Sequence, residues 1–269
     1  MYTPAALIDW SQPWLKPFRV LGQRLSVADD WRLALNTAAQ ERGIRNYQGL
    51  PISFVAQAEL PAATAYEAFI GNSGKVPTRD NLHDFLNALI WLSFPAIKAR
   101  LNALQSAELA KAGTLSGSSK PRGAARDAAT IFDENAALLL VPDNVAGQAL
   151  IAALRQHQWQ QVFVERGHMF AGEVEVWLFG HALLEKLVQP YKAITAHTLV
   201  LSVPESYFAL ADDAKRDWID QSIATDLAQQ DALIGRLTPL PVLGVPGWSG
   251  GQDQAFYADT AVFRPKRNK

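Results

Sequence analysis

The chain has no cysteine. That one absence removes disulfides, thiolate nucleophiles, Cys-ligated zinc and iron–sulfur clusters from consideration. Charge is scarce too: 19% of residues are Asp, Glu, Lys or Arg, and the formal net charge is -1. No overall field therefore draws in nucleic acid or an acidic membrane, and the sequence carries no strong nucleic-acid signal. The basic stretches "SKPRGAAR" and "RPKRNK" are too short to change that expectation. No apolar run approaches the ~20 residues that span a bilayer. The start, "MYTPAALIDWSQPWLKPF", lacks a basic segment followed by an apolar one. A cytoplasmic location with no membrane partner is the resulting expectation.

What the chain does have is core material. Of 269 residues, 49% are hydrophobic, and eight Trp and twelve Phe supply large buried areas. We find no internal repeat. The expectation is one domain over residues 1–269, with a mobile loop near 113–124 in the polar stretch "GTLSGSSKPRGAA".

Residues 28–43 read as a helix with acidic residues at its start and Gly43 at its stop. "LPISFVAQA" reads as a strand, and "AYEAFIGN" as a short helix ending at Gly71. A helix opens near Pro77–Asp80, with Leu82, Phe85, Leu86 and Leu89 as its buried stripe. Pro95 breaks it, and a second helix runs on to about Ala112. "RDAATIFDENAALLLV" reads as a β-hairpin turning at Asp133–Asn135, 145–158 as a helix, and "QQVFVE" and "EVEVWLF" as strands. "HALLEKLVQ" is a short helix, "ITAHTLVLSV" a strand, 205–229 a helix, and "TAVF" a final strand. Without a regular βα repeat, the expected class is α+β: mixed helices and short, largely antiparallel strands in one compact domain.

"GWSGG", Gly247–Gly251, fits the G-x-S-x-G pattern of a nucleophile elbow. Pro246 precedes it where a strand is needed, and no His follows Ser249, since the last is His197. We read it as a turn. The pair His83–Asp84 resembles the helical His-Asp of metal phosphohydrolases, but those require a His upstream and His83 is the first in the chain.

The remaining candidates are polar residues in apolar settings. His83 and Asn87 lie four apart on one helix face, as do His181 and Glu185 on another. His197 sits in an apolar strand. Arg126, Asp127, Asp133 and Glu134 flank "AATIF", and Arg126 has the fork geometry to clamp a carboxylate or phosphate. Two imidazoles with a carboxylate suit a divalent metal that activates water. His181, Glu185 and His197 are the expected ligands, with His83, Asn87, Arg126, Asp133 and Glu134 as catalytic candidates. The plain alternative is that each imidazole satisfies a neighbouring backbone group.

The blocks "YEAFI…GKVPTRDNLHDFLNALIWLSFPAIKARLN", "RDAATIFDENAALLL", "FGHALLEKLVQPYKAITAH" and "LPVLGVPGW…FYADTAVFRP" resemble, in this order, the bacterial family catalogued as domain of unknown function 3025. The resemblance covers about residues 40 to 265 and implies no activity, cofactor or catalytic residue. Two functions follow as expectations. One is a metal-assisted hydrolase acting on a small phosphate- or carboxylate-bearing substrate. The other is a non-catalytic binding or adaptor protein for a protein, RNA or small-molecule partner.

Overall fold

The N-terminal helices are α1 (Arg19–Ser26) and α2 (Trp31–Glu41), the second capped by Asp30, whose carboxylate accepts from Leu33 N at 2.9 Å. The structure is a computed structural model that describes residues 4–114, 124–229, 233 and 235–266. A first small sheet pairs β1 (Ser53–Ala56) with β2 (Lys75–Thr78) in parallel, and α3 (Tyr66–Ser73) connects them. α3 stops at Gly74, whose φ of 70° suits a residue without a Cβ, rather than at Gly71.

Asn81 caps α4 (Leu82–Ser93) by accepting from Asp84 N at 2.8 Å. From Asp84 to Ser93 every residue of α4 is buried, so its polar side chains are carried inside with its apolar ones. Pro95 is the first residue of α5 (Pro95–Thr114), where its missing N–H costs nothing. The loop expected near 113–124 falls, but for its ends, outside the described residues.

The expected hairpin is instead α6 (Ala124–Asn135) running straight into β3 (Ala136–Pro142). Ala129 and Phe132 lie three apart on the buried side, a helical interval, and the Ala-rich stretch favours helix over strand. After α7 (Val145–Arg155), "QQVFVE" forms a π-helical turn, Gln160–Glu165, not a strand. Its consecutive residues Val162 and Phe163 are both buried, and Trp159 stacks on Phe163 at 6.1 Å. A strand would have turned Val162 and Phe163 to opposite faces.

The chain then forms β4 (Glu175–Leu178), α8 (His181–Lys186), β5 (Thr195–Val203), α9 (Asp212–Gln229), β6 (Thr238–Pro241) and α10 (Gln254–Ala258). A separate 3-10 turn at Glu205–Ala209 precedes α9, so 205–229 is not one helix. "TAVF" is a turn that buries Phe263 among Phe163, Phe256 and Tyr257. The last strand is "TPLP", and its two prolines are tolerated because β6 is an edge.

The class is α+β. The larger sheet has the order β4-β3-β5-β6. Of the four strand pairings among the described residues, β1–β2 and β3–β5 are parallel and β3–β4 and β5–β6 antiparallel, so the strands are evenly mixed rather than largely antiparallel. β3 is buried at all seven positions, as a strand covered on both faces must be. Among the described residues no helix is long and apolar enough to cross a membrane.

Candidate active site

The site is assembled where α6 ends, β3 begins and α8 starts. Phe179 N and Gly180 N both donate to Ala136 O, at 3.0 and 2.9 Å, which brings α8 against the end of α6. A Cβ on Gly180 would lie 2.4 Å from Glu134 O, so only glycine permits this approach. His181 follows it directly. Its Nδ1 lies 2.9 Å from the backbone oxygen of Asp133. A carbonyl only accepts, so Nδ1 carries the proton and Nε2 of the neutral ring keeps its lone pair. The contact also satisfies one of the free carbonyls at the C-terminal end of α6.

His181 is only 6% exposed, and burial brings its pKa down to about 4, with nearby Lys98 adding to the effect against the pull of Asp133. His83, on α4, meets His181 edge to face with ring centroids 4.6 Å apart. Its Nδ1 is 2.7 Å from Glu185 Oε2 on α8, a contact across 102 residues. Both rings are thus anchored at Nδ1, and among the described residues no hydrogen bond reaches either Nε2.

A buried polar chain backs the two imidazoles. Lys98 Nζ on α5, 4% exposed, donates to Asp133 Oδ1 at 2.6 Å and to Asn87 Oδ1 at 2.9 Å, and lies 5.4 Å over the Trp91 ring. Burial pushes the Asp133 carboxyl up, but Lys98 and His181 outweigh it and hold the group below the usual carboxylate range. Asn87 Nδ2 donates to the Tyr66 hydroxyl at 3.2 Å. Burial raises the Tyr66 pKa well above its ordinary value, so the phenol keeps its proton. The Asp84 carboxylate accepts from Arg79 through its backbone N–H, Nε and Nη2.

These residues front a cavity of about 560 Å³. Of the expected site residues, His83, Asn87, Asp133, Glu134 and His181 line it, and Glu185 is bonded to His83. Arg126 lies outside the lining, its Nε buried without a hydrogen bond, and its charge acts on Glu67 through space. His197 is exposed on β5, in register with Ala136 and Pro239, and does not line the cavity.

The expected ligand set of His181, Glu185 and His197 is therefore not brought together: the Glu185 carboxylate pairs with His83, and the His197 imidazole is exposed on β5. Among the described residues no group of three or more His, Asp or Glu is placed to hold a metal ion. Ser249, in "GWSGG", sits in a turn with its Oγ directed at Gly250 O.

Lys98, Tyr66, Glu67, Arg79, Asp84 and Gln105 belong to the site or its wall and were not expected there. Lys98 had a legible signal. It lies four residues after Phe94 and three before Leu101, on the buried stripe of its helix.

A family model described as protein of unknown function (DUF3025) matches residues 52–267. No curated protein and no solved structure matches the chain.

Proposed function

The chain belongs to this family, whose description assigns no activity, and from the site alone we propose an enzyme of hydrolytic type that uses His83 as general base on a small polar substrate. The observation that carries the reading is the paired imidazoles, 4.6 Å apart beside one cavity, each anchored at Nδ1 with Nε2 left over. A water donating one hydrogen to each Nε2 would be held between them. His83 then takes its proton, Glu185 stabilises the imidazolium that forms, and His83 returns the proton to the leaving group. His181 stays neutral at physiological pH and orients the water without competing for the proton. Tyr66, whose hydroxyl hydrogen has no acceptor among the described residues, is a donor for an oxygen that gains charge. The expected metal ion has no part in this scheme, since its ligand set does not converge.

Purified protein assayed against carboxylic esters, amides and phosphoesters is expected to hydrolyse one class. That activity should fall by about 100-fold or more in His83→Gln and by a smaller factor in Glu185→Gln. Hydrolysis indifferent to both substitutions, or none in any class, would sink the proposal. The adaptor alternative draws less support, because the polar residues gather around one concave cavity of about 560 Å³.

A further inference from the structure

We propose that the cavity beside His83 receives a small molecule carrying a protonated amine; this deepens, and rests on, the acid–base reading of the same site. It replaces the anionic substrate expected from Arg126, which does not line the cavity.

The argument begins with charge. The wall holds four carboxyl groups, Glu67, Asp84, Asp133 and Glu134, against one cation, Arg79, among the described residues. Arg79 is committed to Asp84 through two side-chain hydrogen bonds, and Lys98 neutralises Asp133 from behind. Glu67 and Glu134 are left without an ion pair to any described residue. Glu67 Oε2 accepts from Asn102 at 2.6 Å, while the Glu134 carboxylate has no described hydrogen-bond partner. An anion placed here would meet these two groups, and the one described cation on the wall, Arg79, is already committed to Asp84.

The second observation is independent of charge. Gln105, on α5, is 7% exposed, lines the cavity, and makes no hydrogen bond among the described residues. The side chain is otherwise packed away, so its amide is free to bond a group held in the cavity. Its carbonyl oxygen is a third acceptor on the wall. An ammonium group has three N–H donors and no acceptor, which matches two carboxylates and one amide oxygen. The three acceptors come from α3, α6 and α5, on the wall of the same cavity that His83 and His181 line.

The test is binding at pH 7.5 of butylammonium, butyrate and butanol, three probes of one size, followed by NMR of the protein's imidazole signals. Butylammonium is expected to bind at least about tenfold more tightly than butyrate and to shift the His83 ring signals. Glu134→Gln, which breaks no described hydrogen bond, should weaken it about threefold or more, and Glu67→Gln likewise.

Butyrate binding as tightly as the amine, no amine binding, or amine binding unchanged in both variants would overturn the proposal. Turnover separates the two readings. Hydrolysis confined to anionic substrates and dependent on His83 would overturn the amine proposal alone. Amine binding at the His83 signals, without any His83-dependent hydrolysis, would overturn the acid–base reading alone.

Discussion

At its Nδ1, His181 donates to the Asp133 carbonyl, and burial lowers its pKa from an unfolded value of 6.5 to about 4. The folded protein thus binds a proton less readily than the unfolded chain. His181 contributes its full share of stability above pH 6.5, and that share drains away as pH falls towards 4. About 3 kcal/mol is at stake. Asp220 works in the opposite direction, because burial raises its carboxyl to about 6 and acidification between 6 and 3.8 favours the fold. The two partly cancel in the intact protein. In His181→Asn, the amide keeps the donor to Asp133 and cannot titrate. Urea unfolding at pH 7.5 and 4.5 should show a smaller acid loss in the variant than in the parent; equal losses would contradict the assignment. Lys98 supports a second expectation. Lys98→Met leaves the Asp133 carboxylate buried without its cation and should cost about 3–5 kcal/mol, much of it recovered when Asp133→Leu is added. Thermal denaturation of the single and double variants checks this.

Elements meet here through close backbone approaches. Gly180 has an ordinary φ of -63°, so its role is space: a Cβ would press on Glu134 O, Asn135 N and Ala136 N, all backbone. Gly180→Ala should therefore cost about 1–3 kcal/mol and displace α8. Loss of the His83–Glu185 hydrogen bond, seen in the imidazole N–H signals, would report the displacement. At the start of α5, Asp220 on α9 accepts from Ala96 N and Ile97 N, both at 2.9 Å, and so caps that helix from a distant element. Asp220→Ala should cost about 1–2 kcal/mol in chemical denaturation, as loss of a local cap does. Neither contact has a sequence signature, because each joins an element to the backbone of a distant one. Local capping was more legible: Asp30 and the acidic start of α2 stand where a helix start is expected. α6 shows the limit. "ATIF" has strand-like residues, yet Ala129 and Phe132 turn inwards at a helical interval and Asp133 follows on the same side.

The family match begins at residue 52, but the core does not. Trp14, Phe18, Leu25 and Leu35 are buried, with Phe18 against Phe94 at 6.2 Å and Trp31 against Phe85 at 5.8 Å. These contacts cover α4, the helix that carries His83 and Asn87. A chain cut to residues 52–267 should therefore expose that face, bind hydrophobic dye and lose cooperative unfolding. A sharp, native-like transition in the shortened chain would show that the first 51 residues are dispensable.

Some of this was settled by the amino-acid sequence alone. Without cysteine there is no thiolate chemistry. The apolar interval in α4, the proline at the head of α5, and the apolar runs of β1, β4 and β5 each mark their element locally. Periodicity says which face of an element is buried; it does not say what that face meets. Only the tertiary structure brings Glu185 to His83, sets Lys98 between Asn87 and Asp133, and leaves His197 outside. Lys98 and Asn87 sit on neighbouring helices, but Asp133 lies 35 residues beyond Lys98 and Glu185 lies 102 beyond His83. The pairings therefore follow from how α4, α5, α6 and α8 pack rather than from any local pattern.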